Sequence, residues 1–162
     1  MRGVLDALFT EAFDERSGRD AALNRLSEVV LVYLLRHAIE HGLLRSGVVA
    51  GLGDARLAKA LNAMHAAPER PWTLQGLADL AGMSRARFAA HFGEVVGEPA
   101  IEYLAGWRLS VAQGLLTQGR QVKSIADEVG YDSPNALTRA FTQRLGQTPT
   151  EWLAPRIGRV PA

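Results

Sequence analysis

Apolar residues recur along this chain at three- and four-residue intervals. No stretch shows sustained two-residue alternation, so the pattern predicts helices throughout. Leu5, Leu8, Phe9 and Ala12 share one face of a first helix, which "RSGRD" interrupts. Asp20 is placed to cap a long second helix, whose apolar stripe carries Leu23, Leu26, Val30, Tyr33, Leu34 and His37. The four glycines of "HGLLRSGVVAGLGD" predict a loop with some apolar contact, and Asp54 then caps a helix through Leu57, Leu61 and Met64. "APERPW" reads as a connector, because neither proline fits inside a helix.

From Trp72 onward the pattern is written twice. "LADLAGMSRARFAAHF" (77–92) and "IADEVGYDSPNALTRAF" (125–141) share their apolar, small and capping positions and differ mainly at the others. Leu77, Ala78, Ala81 and Gly82 recur 48 residues later as Ile125, Ala126, Val129 and Gly130. After one inserted residue, Ser84, Phe88, Phe92, Gly97, Tyr103 and Leu104 recur 49 later as Ser133, Leu137, Phe141, Gly146, Trp152 and Leu153. The predicted elements follow. Thr73 caps a helix over 74–81, Gly82 turns the chain, and Ser84 caps a helix over 85–93. Pro99 opens a longer helix to about Leu116. A second copy then runs 122–129, Gly130, Ser133 as cap and a helix to about Leu145, before a last turn from Pro149.

Two short helices joined by a tight glycine turn fit a helix-turn-helix. Ala78 and Ala126 let the paired helices approach closely. Phe88 with Phe92, and Leu137 with Phe141, are spaced to hold each second helix to its core. The opposite faces carry Arg85, Ala86, Ala89, Ala90 and Gly93 in the first copy, and Pro134, Asn135, Thr138, Arg139 and Thr142 in the second. Those faces are open to solvent or to a major groove. Solvated surface charge is the plainer account of Arg85, Arg87 and Arg139.

Charge narrows this picture. The 162 residues hold 18 Lys and Arg against 17 Asp and Glu, a net charge of +1. Residues 1–56 have 7 basic and 8 acidic side chains, leaving 11 and 9 for the remainder. DNA affinity must therefore come from locally placed cations and not from bulk charge. With no cysteine, a disulfide framework and a thiolate metal site are excluded, and a reducing cytoplasm is the expected location. The longest apolar run, "VVLVYLL", is far short of the roughly 20 residues a membrane span needs.

With both copies in order, the "GWRL" helix between them and the closing "G-x-x-P-x-x-W", residues 57 to 153 resemble the DNA-binding region of AraC/XylS-type transcription regulators. The resemblance implies an all-α chain in which two helix-turn-helix subdomains, joined by one long helix, insert their second helices into successive major grooves of double-stranded DNA. Such grooves recur about every 34 Å, and a helix of about 18 residues spans about 27 Å. Carried over by position, Arg85, Ala86, Ala89 and Ala90 would face base edges in the first copy, and Asn135, Thr138 and Arg139 in the second. Thr73, Lys123 and Ser124 would lie beside phosphates. The chain departs from the pattern at Ala90 and Gly93, where relatives commonly carry a basic residue, so the second copy looks better equipped. Contact with RNA polymerase is also implied.

"AALNRLSEVVLVYLLRHAIEH" resembles the segment that, in one branch of the family, joins a cupin-type sensor barrel to the DNA-binding region. No stretch of this chain reads as the barrel's strands. A truncated relative, a fragment and a misplaced start remain alternatives. The expected organisation is an N-terminal helical linker over 1–56, a paired helix-turn-helix domain over 57–155 and a tail over 156–162. The wide apolar surface of the second helix points to a homodimer through residues 20–42, or to simple packing within the chain.

Two rival signals remain. "HAIEH" (37–41) fits the H-x-x-E-H pattern of a zinc peptidase class. Its histidines continue an apolar stripe and close a helix, so helix-end histidines are the better reading and no metal site is expected. His65 is placed near a helix end, and His91 on an outward face where it could meet a phosphate. Trp72, Trp107 and Trp152 are expected at the core or its edge, with Trp107 and Arg108 packing the two units together. No catalytic set, cofactor or effector site is expected. The alternative function is an interaction module, in which the N-terminal helix pairs with a full-length relative and modulates it.

Overall fold

The computed structural model describes residues 2–13, 17–40 and 46–157. They form α1 (Arg2–Phe13), α2 (Arg19–Glu40), α3 (Val48–Gly53), α4 (Leu57–Ala66), α5 (Leu74–Leu80) and α6 (Arg85–Val96). There follow α7 (Ala100–Thr117), α8 (Val122–Ile125) with a 3₁₀ turn over Asp127–Val129, α9 (Pro134–Leu145) and α10 (Pro149–Ile157). Among the described residues there is no strand, and the fold is all-α, with two helix-turn-helix units joined by α7.

The sequence repeat reappears as a repeat of bonds. In the first unit Gly82 N donates to Asp79 O and Met83 N to Ala78 O, each at 3.0 Å. In the second, Gly130 N donates to Asp127 O at 3.0 Å and Tyr131 N to Ala126 O at 2.9 Å. Both turns need positive φ, +63° at Gly82 and +81° at Gly130. Ser84 and Ser133 then accept from the backbone N–H three residues on, at 3.4 and 3.1 Å, and cap α6 and α9. Packing repeats as well: Phe92 meets Tyr103, and Phe141 meets Trp152, both edge-on at 5.8 Å between ring centres.

These contacts build two cores. One holds Leu57, Leu61, Met64, Leu77, Phe88 and Phe92; the other holds Ile125, Val129, Leu137 and Phe141. Helix α7 enters both, giving Ala100 and Leu104 to the first and Leu109, Ala112 and Leu116 to the second. It closes one unit and opens the next: Leu57, Ala60 and Met64 of α4 have the same buried i, i+3, i+7 spacing as Leu109, Ala112 and Leu116.

Several expectations change. Helix α2 begins at Arg19, so Asp20 sits in its first turn, where its charge suits the helix dipole. The glycine-rich stretch read as a loop contains α3. Gly51 is buried there, and a Cβ on it would come within 2.8 Å of Leu61 and 2.9 Å of Val96, so the glycine serves close packing and not chain reversal. Helix α6 runs past Gly93 to Val96, because its stop is Gly97 in the left-handed conformation. Tyr33, Leu34 and His37 of the predicted α2 stripe are exposed, while Leu23, Leu26 and Val30 are half-buried. His41 and residues 158–162 of the expected tail lie outside the described residues.

Two arginines tie the units together. Arg108, half-buried on α7, donates from Nε to Pro68 O and from Nη2 to Arg70 O, both at 2.8 Å, and lies over the Tyr131 ring. It thus joins the connector before α5 to the turn before α9, against Gly130, where a Cβ would fall 2.7 Å from the guanidinium. Arg144 at the end of α9 reaches Glu98 at 3.1 Å and the Glu102 carboxylate at 3.9 Å, but this group is more exposed. Charged hydrogen bonds shielded from water contribute about 1.5–3 kcal/mol each, whereas exposed ion pairs give about 0–1. Arg108→Ala should therefore lower stability by about 2–3 kcal/mol, and Arg144→Ala by less than about 1. Urea unfolding measures both, and equal losses would contradict this ranking.

Candidate nucleic-acid interface

Helices α6 and α9 each bury one face and present the other. Phe88, Phe92 and Val96 anchor α6, leaving Arg85, Ala86 and Ala90 exposed and Ala89 and Gly93 half-buried. Leu137 and Phe141 anchor α9, leaving Asn135 and Arg139 exposed and Pro134 and Thr138 half-buried. Asn135 and Arg139 stand one turn apart, so they share a face. Among the described residues, no hydrogen bond or ion pair engages the side chains of Arg85, Arg87, Asn135 or Arg139. Arg108, Arg120 and Arg144 are all committed to protein partners.

The two faces differ in chemistry. The α6 face offers a single guanidinium beside methyl groups. On α9, Thr138 donates to Pro134 O and Thr142 to Thr138 O, each at 2.9 Å. Their protons are used inward, so outward they offer a methyl and an acceptor. Asn135 and Arg139 supply the donors.

Thr73 caps α5 by accepting from Gly76 N at 3.0 Å, while Ser124 donates to Gln121 O at 2.8 Å; both are exposed, as is Lys123. All three sit at the starts of the first helices of the two helix-turn-helix pairs.

Beside the α6 face a cleft of about 540 Å³ opens between α6 and the corner joining α3 to α4. Arg56 and Arg87 line it with Met83, Ala90, His91 and Glu94. Arg56 carried no signal in the sequence, because only the tertiary fold brings that corner to α6. His91 is engaged within the protein, as Asp54 Oδ2 takes its Nε2 at 2.7 Å. Asp54 also caps α4, accepting from Arg56 N at 2.9 Å and Leu57 N at 3.1 Å. Partial burial works to raise its carboxyl pKa, but the bonds from Leu57, His91 and Arg56, with the charge of His91, bring it below the ordinary value.

His65 is part of the framework: its ring stacks on Trp107 at 4.2 Å and its Nε2 bonds the Tyr103 hydroxyl. Burial pushes its pKa down and that of Tyr103 up. Trp72 donates from Nε1 to Ala67 O at 2.8 Å, which fastens the connector. His37 is on α2, but its partner in the "HAIEH" pattern, His41, is outside the described residues. Among the described residues, no three potential metal ligands cluster and no helix is long and apolar enough to cross a membrane.

A paired helix-turn-helix with one shared helix is the architecture of bacterial regulators of the AraC type. A family model described as a helix-turn-helix domain matches residues 77–154, and one described as a cupin matches residues 1–40, which hold α1 and α2. A protein named as an AraC-like transcription regulator of Streptomyces lividans is 41% identical over 131 residues, 78% of this chain and 42% of its own length. An HTH-type transcriptional regulator of Haemophilus influenzae is 37% identical over 150 residues, 92% of this chain and 50% of its own. The chain thus spans half or less of these relatives. Among solved structures, an AraC-type regulator of Chromobacterium violaceum superposes with a TM-score of 0.59 at 25% identity, covering 65% of this chain and 95% of that one. The DNA-binding domain of AdpA, solved with a target DNA, gives 0.59 at 30% identity and covers 64% and 95%. This chain belongs to the AraC-type family of transcription regulators.

Asp54 yields a prediction of sign. Its folded pKa is depressed, so its ionic contribution to stability is present above the unfolded value of about 3.9 and is lost as pH falls through the lower folded value. The stability difference between the native chain and Asp54→Ala should narrow as pH falls below about 4 and the carboxylate is protonated. Thermal unfolding from about pH 4 downward tests it; a difference that grows over that interval would refute the assignment.

Proposed function

We propose that this chain binds duplex DNA sequence-selectively through α6 and α9, in adjacent major grooves, and regulates transcription from there by contact with RNA polymerase. The carrying observation is that the two equivalent outward faces hold exposed arginine and asparagine side chains with no partner among the described residues. The 18 residues of α7 support the spacing, since about 27 Å of helix approaches one turn of B-form DNA. The AdpA DNA-binding domain, solved with a target DNA, supports DNA as the partner.

In this reading residues 57–155 are the DNA-binding domain. Arg139 suits guanine O6 and N7, and Asn135 suits adenine N6 and N7. Arg85 supplies the corresponding contact of the first unit, while Ala86, Ala89 and Ala90 meet thymine methyls or the shape of the groove. Thr73, Lys123 and Ser124 hold phosphates. The second unit therefore carries more of the sequence preference.

The exposed side chains of Val29, Leu31, Val32, Leu34 and Leu35 on α2 support a second copy of the chain as partner, through residues 20–42. Light scattering that finds only monomer at tens of micromolar would remove this part of the proposal and leave DNA binding intact.

Arg139→Ala and Asn135→Ala should each lose about 1–3 kcal/mol of discrimination, roughly 5- to 150-fold, at one base position each. Lys123→Ala should weaken all sequences alike and reduce the salt slope by about 1. Fluorescence anisotropy on duplexes selected from a random pool reads both effects. Unchanged selectivity in both α9 variants would reject that helix as the reader.

A further inference from the structure

Helix α6 is gripped from behind by an element that α9 does not have. Helix α3 packs on α4 and α6, and also meets α2, whereas α9 packs against α7, α8 and α10. The grip runs along the C-terminal half of α6. Gly47 N donates to Val95 O at 2.9 Å. Gly51 is seated so tightly that a Cβ would come within 2.9 Å of Val96. One step on, Asp54 holds His91 at 2.7 Å while capping α4 with its other oxygen. His91 is adjacent to Ala90 on the outward face, and the cleft beside it contains both. The two ends of α3 are therefore bonded to α6, by a backbone hydrogen bond from Gly47 near the end of α6 and by the Asp54–His91 hydrogen bond near its middle.

We propose that α3 is a positioning element for α6, with the Asp54–His91 pair as its latch, so that the N-terminal helices influence the first unit's half of a DNA site and not the second's. The proposal rests on the DNA-binding reading. Its physical basis is the asymmetry of attachment. A displacement of α2 passes through α3 to three points on α6, whereas α9 packs on its own unit and α7 and meets the first unit through the exposed Arg144–Glu98 pair. Breaking the latch leaves the buried anchors Phe88 and Phe92 in place and frees the helix to shift about them.

The test uses the full chain and a duplex selected from random DNA by the unaltered protein. Gly51→Leu should unseat α3, and His91→Ala should open the latch without disturbing a core position. His91→Gln keeps a donor for Asp54 and should restore it. Hydroxyl-radical footprints should lose protection over one half-site in Gly51→Leu and His91→Ala, with the other half retained, and should keep both halves in His91→Gln. Amide exchange without DNA should show lost protection in 85–96 and none lost in 134–145. Equal weakening of both half-sites, or α6 exchange unchanged in both variants, overturns the proposal. If the unaltered protein selects no duplex, the DNA-binding reading fails, and the exchange measurement alone decides whether α3 holds α6. Should Gly51→Leu not fold, His91→Ala against His91→Gln carries the same comparison.

Discussion

Helix α7 belongs to two hydrophobic cores at once. Ala100 and Leu104 are buried against Phe92 and its neighbours, and two turns later Leu109, Ala112 and Leu116 are buried with Ile125 and Phe141. A hydrogen-bonded helix does not change length cheaply, so burial at both ends sets the distance between the units. Their relative rotation is a separate matter, since one helix still allows each unit to turn about it. Arg108 opposes that freedom. Its guanidinium is bonded to carbonyls of the connector leading into the first unit and packed against the turn of the second. The spacing is hydrophobic in origin; the orientation is polar.

This division explains where polar side chains are spent. Arginines between the units are engaged by carbonyl or carboxylate partners, and those on the outward faces of α6 and α9 have none among the described residues. A committed guanidinium stabilises the frame, while an uncommitted one is available to a phosphate or a base edge. The near-neutral total charge is then no obstacle, because what counts for DNA is the handful of cations left unpaired and held on rigid helices.

The N-terminal helices answer to different rules. Helices α1 and α2 pack on one another and touch the remainder chiefly through α3. Helix α2 leaves Leu31, Val32 and Leu34 more than half exposed, which a helix serving only its own hairpin would not need. The cupin match covers residues 1–40, and α3 packs against both α2 and α6. Through α3 the N-terminal helices are packed onto the first unit.

Much of this was readable in advance. Helical periodicity gave α2, α4, α7 and α9 without ambiguity, and the 48- and 49-residue repeat located both turns and both caps, because Gly82, Gly130, Ser84 and Ser133 act through their own neighbouring backbone. The same repeat separated anchoring from outward positions on α6 and α9. Where the reading went astray, the deciding contact was distant. Gly51 looked like a helix breaker and is a packing surface for Leu61 and Val96; His91 looked outward and is held by Asp54, 37 residues earlier. Local chemistry, whose partners lie within a turn or two, was determined by sequence alone. The seat of α3, the choice of which arginines are spent and which remain, and the exposure of α2 were decided only by tertiary structure, since each depends on side chains brought together from separate parts of the chain.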